Sequence, residues 1–215
     1  TETPVFQAAL KTAPPAKVPV LDLVRDYPLQ TVAGTFAVVG SFAIFYITTV
    51  FCLGYGISAL GYSRNEFLTL QLLAIPFMAI GTIWSGFWSD RKSPWLVLVV
   101  GYATMIFVGM VFAPMLTSGS SFIVWALMAG GLVVMGLAHG PHGAYLPSLF
   151  PPRVRYTGVS VTFNLGGIIG GGAAPFIAQA LADRGGLWLV GLYISLAGAI
   201  SVVALMVLKG KEYKG

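Results

Sequence analysis

The sequence predicts an all-α, polytopic membrane protein with six transmembrane helices in a 3+3 inverted repeat. Three observations predict it. The apolar residues fall into six long blocks free of Asp, Glu, Lys and Arg, each of about 20 residues or more, enough to cross roughly 30 Å of hydrocarbon. The Lys and Arg residues gather on alternate connections between those blocks. A segment after the second block, Ser89–Val97, is echoed after the fifth by Ala182–Val190, with Asp, Arg, Trp, Leu and Val at a constant offset.

The chain opens with a polar arm, residues 1–29, carrying Pro4, Pro14, Pro15, Pro19 and Pro28. Within it, Leu21–Asp26 suits a short amphipathic turn on the membrane surface. Thr1–Val20 has no apolar h-region and reads as no signal peptide. Without an initiator methionine, the chain is expected to be a piece of something longer. The bundle occupies residues 30–208, with spans expected at Val32–Leu60, Leu68–Phe87, Pro94–Leu116, Phe122–Leu146, Gly158–Leu181 and Leu187–Leu208. The short connections make successive spans antiparallel neighbours. Residues 209–215 form a basic tail.

A weave with a cytoplasmic N-terminus puts Lys11, Lys17, Arg25, Arg91, Lys92, Arg153, Arg155, Lys209, Lys211 and Lys214 inside, and only Arg64 and Arg184 outside. Positive-inside bias therefore predicts both termini in the cytoplasm and a multi-pass protein of the cell's inner (plasma) membrane. The placement also turns the net positive charge away from nucleic acid and toward the lipid bilayer. The echo falls once on an inside connection and once on an outside one, as an inverted repeat requires. Cys52 reads as a small buried apolar residue.

Gly166/Gly170 and Gly167/Gly171 are small-xxx-small pairs, suited to close helix packing or to a bend. No charged residue lies within an expected span, so the polar residues at depth carry the candidate chemistry. Tyr46 lies near the middle of the first span; Tyr55, nine residues on, falls on the opposite face of a straight helix. His139 and His142 share one face of the fourth span, and Asn164 lies at similar depth in the fifth. Tyr46, His139, His142 and Asn164 are the expected substrate contacts. No metal is expected, because the histidine pair has no third or fourth ligand, and no cofactor is expected.

Several motifs carry a family resemblance. Phe150–Gly158 resembles the FPTRVRYTG loop of the metabolite:proton symporters, a branch of the major facilitator superfamily. Gly86–Arg91 resembles that superfamily's GxxSDR loop, and Glu2–Phe6 the ETPVF that follows its sixth span. Phe45, Tyr46, Ile47 and Tyr55 fit that branch's seventh span. The resemblance implies the C-terminal half of a twelve-span transporter, half of a major facilitator fold, with residues 1–29 as the cytoplasmic loop between halves. It implies proton symport of a small polar metabolite, often an organic acid, by alternating access. The partner is then the N-terminal six-span half, which would supply the proton-binding carboxylate. Asp90, Arg91, Arg153 and Arg155 become candidate gating residues, with Arg153 and Arg155 bonding helix C-terminal carbonyls or Asp90. Ser148 stands where the family usually has a Glu. Two rivals remain: a membrane-embedded enzyme, for which two histidines without an intramembrane acid supply little, and a six-span protein that pairs with itself. No enzymatic activity is expected.

Overall fold

The computed structural model describes residues 19–213 and is all-helical there, with no strand. The Glu2–Phe6 motif and Lys11, Lys17 and Lys214 lie outside the described residues. Six helices are long and apolar enough to cross a membrane: Pro28–Ser58, Arg64–Arg91, Pro94–Leu116, Ser121–Ser148, Arg155–Gly185 and Leu187–Leu208. The third and sixth match the spans expected from the apolar runs. The second begins earlier because a capping box starts it: the Ser63 hydroxyl accepts from the Glu66 amide at 3.3 Å, and the Glu66 carboxylate accepts from the Ser63 amide at 2.8 Å. Polar residues 64–66 read as loop in the sequence and are helix in the molecule. Pro28 and Pro94 occupy first-turn positions, where the missing donor costs nothing. Spans five and six are separated by Gly186 alone, whose φ of 87° turns the chain back sharply.

The connections gather at two ends. At one, the Tyr62 and Ser121 hydroxyls meet at 3.3 Å and join the loop after span one to the start of span four. At the other, here the arginine end, the Tyr213 amide donates to the Ser148 carbonyl at 2.7 Å. There, too, Trp95 donates from its indole to the Leu205 carbonyl at 2.8 Å, with the Lys209 ammonium 4.5 Å from its ring centre. The amphipathic turn expected before the first span is a helix, Pro19–Asp26. It buries Leu23 completely and leaves Val20, Leu21 and Val24 exposed.

The order of packing has an internal symmetry. Span two lies on four, one on five, three on four, one on six, and three on six; spans one and four also touch. Exchanging the first three spans with the last three maps this set of contacts onto itself. The 89–97 and 182–190 echo falls on matching junctions, with Trp95 and Trp188 each the second residue of its helix. Their surroundings differ, since Trp188 is mostly exposed.

Glycine lets the closest pairs approach. A methyl added at Gly166 would lie 2.9 Å from the Thr35 carbonyl oxygen, and one at Gly170 would strike the Val39 carbonyl. One added at Gly136 would lie 2.6 Å from the Thr82 nitrogen. The 166/170 pair thus seats span five on the backbone of span one, and the 167/171 pair meets the rings of Phe42 and Tyr46. Just there span five loosens from α into a five-residue π turn, Ile168–Gly172.

Candidate functional site

Spans one, four and five converge on the candidate residues. Span four breaks at Gly140–Pro141, because Pro141 has no amide to continue the ladder. His139 is the last residue before the break and His142 the first after it. The break gives the two rings different environments.

His142 is buried at the junction of spans one, three and four. Its Nδ1 is 3.3 Å from the His139 carbonyl, and its Nε2 is 3.3 Å from the Ala37 carbonyl and 3.4 Å from the Tyr102 hydroxyl. Carbonyls only accept. With the proton on Nδ1 donated to His139, Nε2 accepts from Tyr102, which is itself fully buried. His142 in this way bonds span four to span three, with its ring against the Ala37 carbonyl of span one.

His139 is half-buried, and its Nδ1 is buried with no hydrogen-bond partner among the described residues. Its ring stands edge-on to Phe42 of span one at 5.9 Å and to Phe163 of span five at 5.5 Å, and those two rings meet at 5.1 Å. A buried, unpaired nitrogen within an aromatic triangle costs free energy unless something comes to bond it.

Tyr46 is half-buried one turn beyond Phe42, edge-on to Phe45 and packed against Gly171. It opens on a groove of 400 Å³ between spans one and five, shared with Val50, Gly172, Pro175 and Gln179. Asn164, next to Phe163, is exposed, and its amide donates to the Ser160 carbonyl of its own helix at 2.8 Å. The structure therefore brings His139 and Tyr46 around Phe42, fixes His142 behind them, and leaves Asn164 on the open face.

The opposite-face expectation for Tyr55 is corrected. Span one is not straight: residues Ile47–Phe51 form a π turn, closed by the Cys52 amide on the Ile47 carbonyl. The extra residue in that turn reduces the angle between Tyr46 and Tyr55 from about 180° to roughly 80°. Phe42 and Phe163 were missed by the sequence reading, although Phe42 lies one helical turn before Tyr46 and shares its face.

At the arginine end, Arg153 donates to the Asp22 carboxylate at 2.9 Å, with Asp26 at 4.0 Å. It ties the loop before span five to the surface helix. Arg155 donates from Nε to the Phe150 carbonyl at 3.1 Å, just past the end of span four. That carbonyl lies two residues beyond the helix end at Ser148. The Asp90 option is not taken up in this conformation: Asp90 and Arg91 are exposed and form no ion pair among the described residues.

No protein-family model matches the chain. It is 35% identical over 213 residues to the inner membrane metabolite transport protein YhjE of Escherichia coli strain K12, covering 95% of this chain and 48% of that protein. It is 32% identical over 152 residues to the ectoine/proline transporter ProP of Corynebacterium glutamicum, covering 68% of this chain and 28% of that protein. Against the shikimate transporter of Escherichia coli strain K12 it is 24% identical over 218 residues, covering 96% of this chain and 47% of that protein. The chain spans about half the length of YhjE and of the shikimate transporter.

Proposed function

Because the chain matches one half of a major facilitator-type metabolite transport protein, we propose that it is the C-terminal half of a proton-coupled secondary transporter of a small polar metabolite, an organic acid by first choice. It works by alternating access with an N-terminal six-span half. Both termini lie in the cytoplasm and the bundle sits in the inner membrane. The observation that carries the reading is the unpaired Nδ1 of His139 inside the Phe42–Phe163 triangle. Such a nitrogen offers a bond to a polar ligand group while the rings cover its apolar flank. Tyr46 extends that surface along span one, and Asn164 offers an amide on the open face. His142 holds the backbone that presents His139. The proton-binding carboxylate belongs to the other half, since no acid lies in the middle of any span here.

Uptake by the complete transporter in proteoliposomes tests this. The panel is shikimate, proline, ectoine and simple organic acids, with and without an inward proton gradient. The reading predicts gradient-dependent accumulation of at least one organic acid. Accumulation of none, or accumulation indifferent to the gradient, would overturn the proton-coupled reading.

A further inference from the structure

The π turn in span one has a clasp. Passing from α to π geometry at Ile47–Phe51 widens the helix around the carbonyls of the turn. Two of them are met from span two. The Gln71 carboxamide donates to the Thr49 carbonyl at 2.6 Å and to the Thr48 carbonyl at 3.3 Å. A carboxamide carries two N–H groups on one nitrogen, so a single side chain can serve both acceptors. No apolar residue could do this, and within the membrane no water is at hand to replace it.

The turn is held on other sides as well. Thr48 is buried against Gly131 of span four, where an added methyl would lie 3.0 Å from its hydroxyl. Thr49 donates to the Phe45 carbonyl at 2.7 Å. The second π turn, in span five, borders the same groove through Gly171 and Gly172. Tyr46 immediately precedes the clasped turn, and the segment Cys52–Ser58 follows it. The turn's extra residue sets the angle between those two parts.

We propose that Gln71 is a positioning residue: it holds the π turn of span one, and through it the phase between the groove-facing Tyr46 and the segment Cys52–Ser58. If the chain transports as read above, Gln71 acts on the substrate path without touching substrate. Release of the clasp lets the turn fall back toward α geometry and rotates the far segment by about 100°.

The chain carries its own reporter, because Cys52 is its single cysteine, fully buried, at the exit of the turn. The experiment follows N-ethylmaleimide labelling of Cys52 in the complete transporter, carrying no other cysteine, in membranes. Gln71→Met keeps the volume and loses the donor. It should label about fivefold faster than the parent, the factor for a net hydrogen bond of ordinary strength, at any pH. Gln71→Glu keeps the shape and regains a donor only when its carboxyl is protonated. Compared with the parent at each pH, it should label faster at about pH 8 and return toward the parental rate near pH 4, where an ordinary Glu carboxyl is mostly protonated. A side chain that merely fills space gives no such pH reversal. Parental labelling of Gln71→Met, or a Gln71→Glu rate ratio that ignores pH, would overturn the proposal. If Gln71→Met does not accumulate, the two-pH comparison within one Gln71→Glu preparation still decides it. The assay needs no substrate, so its outcome is separate from that of the uptake experiment.

Discussion

The two histidines show how three residues of spacing divide into two roles. His142 engages both ring nitrogens, and its loss would strand the Tyr102 hydroxyl in the core. His142→Phe should therefore destabilise the protein by about 1–3 kcal/mol, read as an earlier thermal transition in detergent. His139→Phe keeps a ring against Phe42 and Phe163 and removes only the unpaired nitrogen. It should melt like the parent while uptake falls by about tenfold, the factor for one lost polar contact of 1.4 kcal/mol. A melting loss in His139→Phe with uptake intact would exchange the two roles. The sequence places both histidines on one face and favours His139, the deeper one, as the contact, but it does not show the partners that divide their roles. The difference lies in Ala37, Tyr102, Phe42 and Phe163, which come from other spans.

Among the elements, span five depends most on what it lacks. Gly170 lies where a methyl would strike the Val39 carbonyl, whereas Gly86 of span two has open space around it. Gly170→Ala should cost about 1–3 kcal/mol through overpacking. Gly86→Ala should be neutral or gain up to about 1 kcal/mol from reduced backbone freedom. Thermal transitions of the two variants side by side check the pair, and equal shifts would remove the close seam between spans one and five. Span existence and order were legible in the sequence, because long uncharged apolar runs admit little else. Span ends were less so: Arg64–Glu66 look like loop until Ser63 and Glu66 cap each other. The π turns were not legible. Nothing in Ile47–Phe51 distinguishes it from ordinary helix, and the turn is held by Gln71 from another span.

For the molecule as a whole, the testable matter is which way it faces. Single cysteines at Ser118 and at Lys211, in a Cys52→Ser background, report the two ends. In whole cells an impermeant thiol reagent should label the Ser118→Cys site and spare the Lys211→Cys site. The reverse pattern would invert the weave and undo the assignment of the arginine end to the cytoplasm. The same two ends are related by the exchange of span triplets that leaves the packing order unchanged. That relation has an energetic consequence. If the chain moves by alternating access as proposed, a scaffold whose interior repeats upside down breaks and remakes similar contacts whichever way it leans, so its two leanings are close to degenerate. Degeneracy alone gives no resting preference. The helix at Pro19–Asp26, docked by Arg153 onto one end, has no counterpart at the other among the described residues. On that reading its half-exposed ion pair supplies a bias of about 0.2–1 kcal/mol, which skews two otherwise equal populations by roughly 1.4- to fivefold. A tilt of that size gives the molecule a default posture and leaves it easy to overturn.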